Sequence, residues 1–284
     1  MKNYRDAVLF VFMSLFWSIN YPLVKIAVLY ENEYYLLFFR ILFALILSLI
    51  LFPKSLKVGK SFKTHLKFLV IALLNIVGFM EFWFIGEMSE SASISSIIIY
   101  TYPVFVVLLS IPLLNEKVKK LNLSGSFIGL AGIVLIFFQE MQIKSIYGLI
   151  FLFLGSLSWS FGTIFYKKYM NEIEPVKVNT MQFVYALPIT FIIALISGPL
   201  IIGNLNIEYL SITAYMGMLG TSMAYFIYLH LFRKYNVSEI SSYLFIVPAF
   251  SVIISAIFLK EILTGLNLIG FILLIIGIYL SQRK

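Results

Sequence analysis

The chain has 284 residues, 61% of them hydrophobic and 12% charged, with a mean hydropathy of +0.99 and a formal net charge of +8. Soluble domains carry about 25% charged residues, so this composition excludes a soluble globular fold. The absence of cysteine excludes disulfides, thiolate catalysis and Cys-ligated metal.

Ten apolar runs of spanning length follow one another, at about 8–28, 34–52, 66–86, 92–112, 121–139, 146–166, 178–198, 209–231, 239–259 and 263–281. A bilayer-spanning helix needs about 20 apolar residues. None of the runs alternates as a barrel strand would, and in lipid every backbone group must be bonded within its segment or in a closed barrel. The expected fold is therefore an all-α integral membrane protein with ten transmembrane helices. No cleavable signal peptide is expected, because the run beginning near Ala7 is long enough to span and lacks a small-residue cleavage site.

The basic residues set an orientation. With the N-terminus inside, Lys2, Arg5, Lys54, Lys57, Lys60, Lys63, Lys67, Lys117, Lys119, Lys120, Lys167, Lys168, Lys177, Arg233, Lys234, Arg283 and Lys284 are all cytoplasmic. Only Lys144 and Lys260 fall in outer loops, while Lys25 and Arg40 lie within helices. This positive-inside bias places both termini in the cytoplasm and the protein in the cell membrane.

The chain also repeats itself. Pro103–Gly132 and Pro248–Gly277 align without a gap at an offset of 145 positions and agree at 11 of 30 places. The matches include Pro103/Pro248, Glu116/Glu261, Asn122/Asn267, Gly125/Gly270 and Gly132/Gly277, residue types that apolar composition alone does not supply. Ser14–Ser18 (SLFWS) likewise matches Ser156–Ser160 (SLSWS). The expected domains are residues 1–140 and 141–284, each a repeat of five helices. Five is odd, so the second copy enters the membrane from the opposite side. Inverted repeats recur in secondary transporters, with substrate near the midplane.

With these features in place, the sequence resembles the drug/metabolite transporter superfamily, EamA type. The resemblance rests on the Ser-Leu-x-Trp-Ser of each half, Arg40 inside the second run and the stretch Gly220-Thr221-Ser222-Met223-Ala224-Tyr225. It rests also on the spacing of Pro103, Glu116 and Gly125, repeated by Pro248, Glu261 and Gly270. It implies a ten-helix fold that moves small metabolites or drugs. Gln182 stands in the second half where the first has Arg40, so the halves are chemically unequal. The first helix has no Glu, unlike that of the small multidrug-resistance relatives.

Ionisable residues inside a membrane are functional candidates by default. Lys25, Arg40 and Glu81 share one depth, roughly 4–9 Å from the outer boundary at 1.5 Å per residue. Together they could hold an anionic substrate group. Glu81 could instead take up a proton, or an Arg40–Glu81 pair could lock the outer end while Lys25 snorkels to water. Trp17, Asn20, Tyr21, Tyr100, Trp159, Gln182, Tyr228 and Tyr243 read as an apolar cavity with a few polar hooks, suited to aromatic or apolar substrates, amino acids included, over sugars or bare ions. Pro22, Pro103 and Pro248 are expected hinges within helices, because proline removes a backbone donor. His230 reads as a helix-end histidine and His65 as a loop residue.

No catalytic motif, cofactor site or metal site is legible, and the only aspartate is Asp6. The expected function is a secondary transporter exporting small organic metabolites by alternating access; the alternatives are a multidrug exporter of lipophilic cations or a non-transporting membrane protein. The expected partners are a small-molecule substrate and the lipid bilayer, with proton coupling open and no nucleic acid. Either a monomer or a homodimer fits.

Overall fold

A computed structural model describes residues 3–141, 143–202, 205–259 and 264–283. These residues form fourteen α-helices, with no strand among them. In chain order the first seven are α1 (Tyr4–Ala27), α2 (Glu33–Leu51), α3 (Phe62–Ala72), α4 (Phe79–Ser89), α5 (Ala92–Ile99), α6 (Tyr102–Leu114) and α7 (Lys120–Ile136). Then come α8 (Ile146–Tyr169), α9 (Pro175–Ser197), α10 (Ile207–Gly217), α11 (Ala224–Lys234), α12 (Val237–Tyr243), α13 (Ile246–Leu259) and α14 (Gly265–Gln282). Several starts are capped as their sequence dictates: the side chains of Asn3, Asn32, Ser91 and Asn206 each accept a backbone N–H of the following turn.

Nine stretches among the described residues are long and apolar enough to span a membrane. The run expected over 121–139 becomes α7, an apolar helix of 17 residues. At 1.5 Å per residue that is about 26 Å, a little short of a hydrocarbon core of about 30 Å. The chain is thus a multi-pass, all-helical membrane protein.

Four spans are irregular, and the irregularities are matched. A π-helical segment, Leu73–Gly78, joins α3 to α4, and a second, Met218–Met223, joins α10 to α11. They stand 145 positions apart, the offset that relates Pro103 to Pro248. Turns at Tyr100–Thr101 and Leu244–Phe245 separate α5 from α6 and α12 from α13. Pro103 has no N–H to bond the Ile99 carbonyl, and Pro248 has none for that of Leu244, so each helix stops and restarts. These prolines therefore sit in the first turn of a new helix rather than inside a continuous one, a correction to the expected placement. Pro22 does lie inside α1, which continues past it to Ala27. His65 is also corrected: it belongs to α3, and its Nδ1 is 2.7 Å from the Tyr185 hydroxyl.

The chain resolves into two compact units, each drawing on both sides of residue 140. The first comprises Met1–Glu81 and Tyr169–Arg233, the second Phe82–Lys168 and Lys234–Lys284.

In the second unit, α7 and α14 cross antiparallel through glycines. A side chain at Gly125 would strike the Gly277 and Ser281 backbone, and one at Gly270 would strike Gly132 and Ile136. The hydrogen bonds are reciprocal in the same way. Asn122 donates Nδ2–H to the Ser281 carbonyl and Asn267 to that of Ile136. Adding 145 to 122 gives 267, and subtracting it from 281 gives 136, so the two bonds are images of one another. Small residues let membrane helices approach closely, and side-chain amides then bridge them.

Candidate functional site

The first unit buries most of the polar side chains expected to matter. A π segment widens its turn and loosens the backbone ladder, and here side chains bind the carbonyls so exposed. The Trp17 indole N–H donates to the Gly220 carbonyl at 3.1 Å, and Asn179 donates Nδ2–H to that of Ser222 at 3.0 Å. From α11 the Tyr225 hydroxyl donates to the Asn75 carbonyl at 2.9 Å. All three acceptors lie in Leu73–Gly78 or Met218–Met223.

Arg40, 1% exposed, donates from Nε to Thr221 Oγ1 at 2.7 Å; that hydroxyl donates in turn to the Met216 carbonyl at 2.8 Å. Glycine makes the room. A Cβ at Gly220 would stand 2.5 Å from Asn20 Oδ1, and one at Gly217 would meet the Arg40 carbonyl and the Phe43 side chain. Trp17 lies 5.8 Å from Tyr225 and 5.7 Å from Tyr228, ring centre to ring centre, which gives the cluster an aromatic wall.

Several buried polar atoms have no hydrogen-bond partner among the described residues. In the first unit they include Asn20 Oδ1, both carboxamide atoms of Asn75, Gln182 Oε1 and both carboxylate oxygens of Glu81. Gln182 spends its Nε2–H on Asn179 Oδ1 at 3.2 Å. Nearly every buried polar group in a folded protein is bonded, so each exception calls for a reason. The expected Arg40–Glu81 lock does not form, since neither Glu81 oxygen is hydrogen-bonded. The side chains of Tyr21 and Lys25 lie outside the described residues.

The second unit holds the remaining candidates. Trp159 stacks on Tyr102 at 3.8 Å between ring centres, and the Tyr102 and Thr163 hydroxyls are 2.9 Å apart. Tyr100 is buried at the break after α5, and Tyr243 is half-buried where α12 ends. Glu116 accepts the Val237 and Ser238 N–H groups at 2.8 and 3.1 Å, capping the start of α12.

The acid–base pairs found at helix ends are peripheral. His230 Nε2 is 3.7 Å from Asp6 Oδ1. At the exposed start of α9 a hydrogen bond from Lys177 holds the Glu174 carboxyl below the usual carboxylate range. No cluster of metal-ligating side chains occurs among the described residues.

Asn75 and Asn179 are candidate site residues that the sequence alone does not single out. A signal exists for Asn75, an asparagine in the apolar stretch LLNIVG. Thr221 and Ser222 are visible there only as part of a motif.

Buried polar groups within membrane spans are functional candidates by default, and the comparisons give the class as membrane transporter. The sequence matches the EamA-like transporter family twice, over residues 6–138 and 146–282, and the chain belongs to that family. It is 27% identical to "Uncharacterized transporter YvbV" of Bacillus subtilis (strain 168), covering 99% of this chain and 92% of that one. It is 26% identical to an "Uncharacterized transporter" of Archaeoglobus fulgidus, covering 99% of both chains. A solved protein crystal structure shares the fold over 98% of this chain and 97% of that one, with a TM-score of 0.80 at 15% identity.

Proposed function

We propose that this transporter exports small organic metabolites, amino acids among them, across the cytoplasmic membrane by alternating access. It would do so as ten helices in two inverted five-helix repeats, residues 1–140 and 141–284, with both termini cytoplasmic. The π segments at the repeat offset, the reciprocal antiparallel crossing of α7 and α14, and the distribution of Lys and Arg all support that arrangement.

The observation that carries the substrate class is the unspent carboxamide of Asn75 and the unspent amide oxygens of Asn20 and Gln182, in one unit with Arg40 and the aromatic wall of Trp17, Tyr225 and Tyr228. Carboxamides offer both donors and acceptors, and a guanidinium suits a carboxylate. An amino acid presents an ammonium, a carboxylate and a side chain that such a site can receive. A bare lipophilic cation gains nothing from Arg40.

Counterflow in proteoliposomes tests the reading. Vesicles preloaded with one unlabelled solute at a time are assayed for trapping of its tracer, across the amino acids, short organic acids, purines and one lipophilic cation. Trapping of an amino acid or organic acid is the expected result. Trapping of the cation alone would replace the reading with multidrug export.

A further inference from the structure

One end of the α7–α14 crossing holds a cavity that the transport reading does not use. It measures about 220 Å3 and is framed by residues 117–119, the first turn of α7, the start of α12 and the end of α14. All of these belong to the second unit. Bonds already made hold the frame in place. Asn122 accepts the Lys119 N–H and donates to the Ser281 carbonyl. Gln282 donates Nε2–H to the Glu239 carbonyl at 2.9 Å, and Glu116 accepts the Ser238 N–H and hydroxyl.

The frame gathers positive charge. Lys117, Lys119 and Arg283 line the cavity, and none of them forms an ion pair among the described residues. The carboxylate on the same wall is that of Glu239, so cations are in excess. Like charges gathered round one cavity repel one another, and an oxyanion among them relieves that repulsion. Ammonium groups bind phosphate as point charges, and a guanidinium offers it paired N–H groups. The volume is about seven times a water's share of the liquid, which leaves room for a phosphate group.

The cavity also lies where a membrane puts its phosphates. α14 fills the candidate span Gly265–Gln282 with Arg283 as its C-cap, and α7 begins at Lys120. The cations therefore stand at the ends of apolar helices, at headgroup level. Leu121, next to Asn122 on α7, and Tyr279 on α14 are exposed. The Arg283 guanidinium is 5.4 Å from the Tyr279 ring centre. Apolar surface for acyl chains thus adjoins charge for a headgroup, whereas a soluble phosphate would use the charge alone.

We propose that this cavity is a phosphate-binding site, filled in the membrane by the headgroup of an anionic phospholipid, with Lys117, Lys119 and Arg283 as its cationic ligands. The bound lipid ties residues 117–119 to the start of α12 and the end of α14. The inference needs only that the chain spans a membrane. It does not rest on the transport reading, so a failure of counterflow leaves it standing.

The full chain in a zwitterionic detergent, at physiological ionic strength, is titrated with dioleoylphosphatidylglycerol or with dioleoylphosphatidylcholine. Retained lipid is counted by native mass spectrometry. The native chain should hold phosphatidylglycerol at least about tenfold more tightly than phosphatidylcholine, and K117Q/K119Q should lose that preference. K60Q/K63Q removes the same charge from exposed lysines near the start of α3 and should keep the preference. Equal retention of the two lipids, an undiminished preference in K117Q/K119Q, or its loss in K60Q/K63Q as well would overturn the proposal.

Inorganic phosphate, added to the lipid-free chain and read by the midpoint of thermal unfolding, separates the two sources. No rise is expected. A rise equal to that given by phosphatidylglycerol, and absent from K117Q/K119Q, would overturn the lipid as the occupant and assign the cavity to soluble phosphates. Should K117Q/K119Q fail to fold, R283Q replaces it: weaker retention of phosphatidylglycerol supports the site, and unchanged retention overturns it.

Discussion

The two compact units put their buried amides to different uses around matched irregularities. In the first, Asn20, Arg40, Asn75, Asn179 and Gln182 are all buried, and side chains bind carbonyls that the π segments expose. In the second, glycines bring α7 and α14 backbone to backbone, and the amides of Asn122 and Asn267 are each satisfied by a carbonyl of the facing helix. In a membrane an unsatisfied polar group is costly. One unit therefore reads as frame at the α7–α14 crossing, with its interhelical amides spent, and the other as the candidate site, with carboxamide and carboxylate atoms held in reserve. Substitutions should separate stability from transport along that line.

The largest effect is expected in the frame. Gly277→Val sets a branched side chain against the Gly129 backbone, which has no flexible end to move. It should cost about 3 kcal/mol or more, read as loss of the monodisperse peak in detergent. A well-folded Gly277→Val would show that the crossing is loose.

In the first unit, Arg40→Ala should reduce counterflow at least about tenfold, the equivalent of 1.4 kcal/mol. Lys144→Ala, in an exposed loop, should transport as the native protein does. Equal activity of the two variants would reduce Arg40 to packing.

Asn122→Ala and Asn267→Ala test the symmetry more finely. Each removes one interhelical amide bond, worth about 0.6 kcal/mol in membrane proteins. Thermal unfolding followed by tryptophan fluorescence should show two small and equal losses, with the substrate profile unchanged. Unequal losses would mean that the reciprocal crossing is not balanced in energy.

The spans are legible in the sequence because hydropathy alone demands them, and the 145-position offset is legible because glycine, proline and asparagine recur at fixed places. The π segments are not. LLNIVG and MLGTSM carry no composition that separates a π turn from an α turn, and the widened turn is satisfied by side chains from distant helices. Pro103 and Pro248 are visible, but where each helix restarts depends on the turn before it. Arg40 is conspicuous as a charge in an apolar run, whereas its partner Thr221 lies 181 positions away and only the fold brings it near. Asn75 is easily passed over because an asparagine carries no charge to draw notice.

Asn75 gives the most direct measurement. Its side chain is fully buried, with both carboxamide atoms unspent, while its backbone carbonyl already holds Tyr225. Asn75→Leu keeps that backbone bond and removes the unpaired amide, so the chain should become more stable by about 1–3 kcal/mol. If the amide is held in reserve for substrate, counterflow should fall at least about tenfold in the same preparation. Greater stability with lost transport is the predicted result; Asn75→Leu that transports at the native rate would contradict the assignment of the site to the first unit's unspent polar groups.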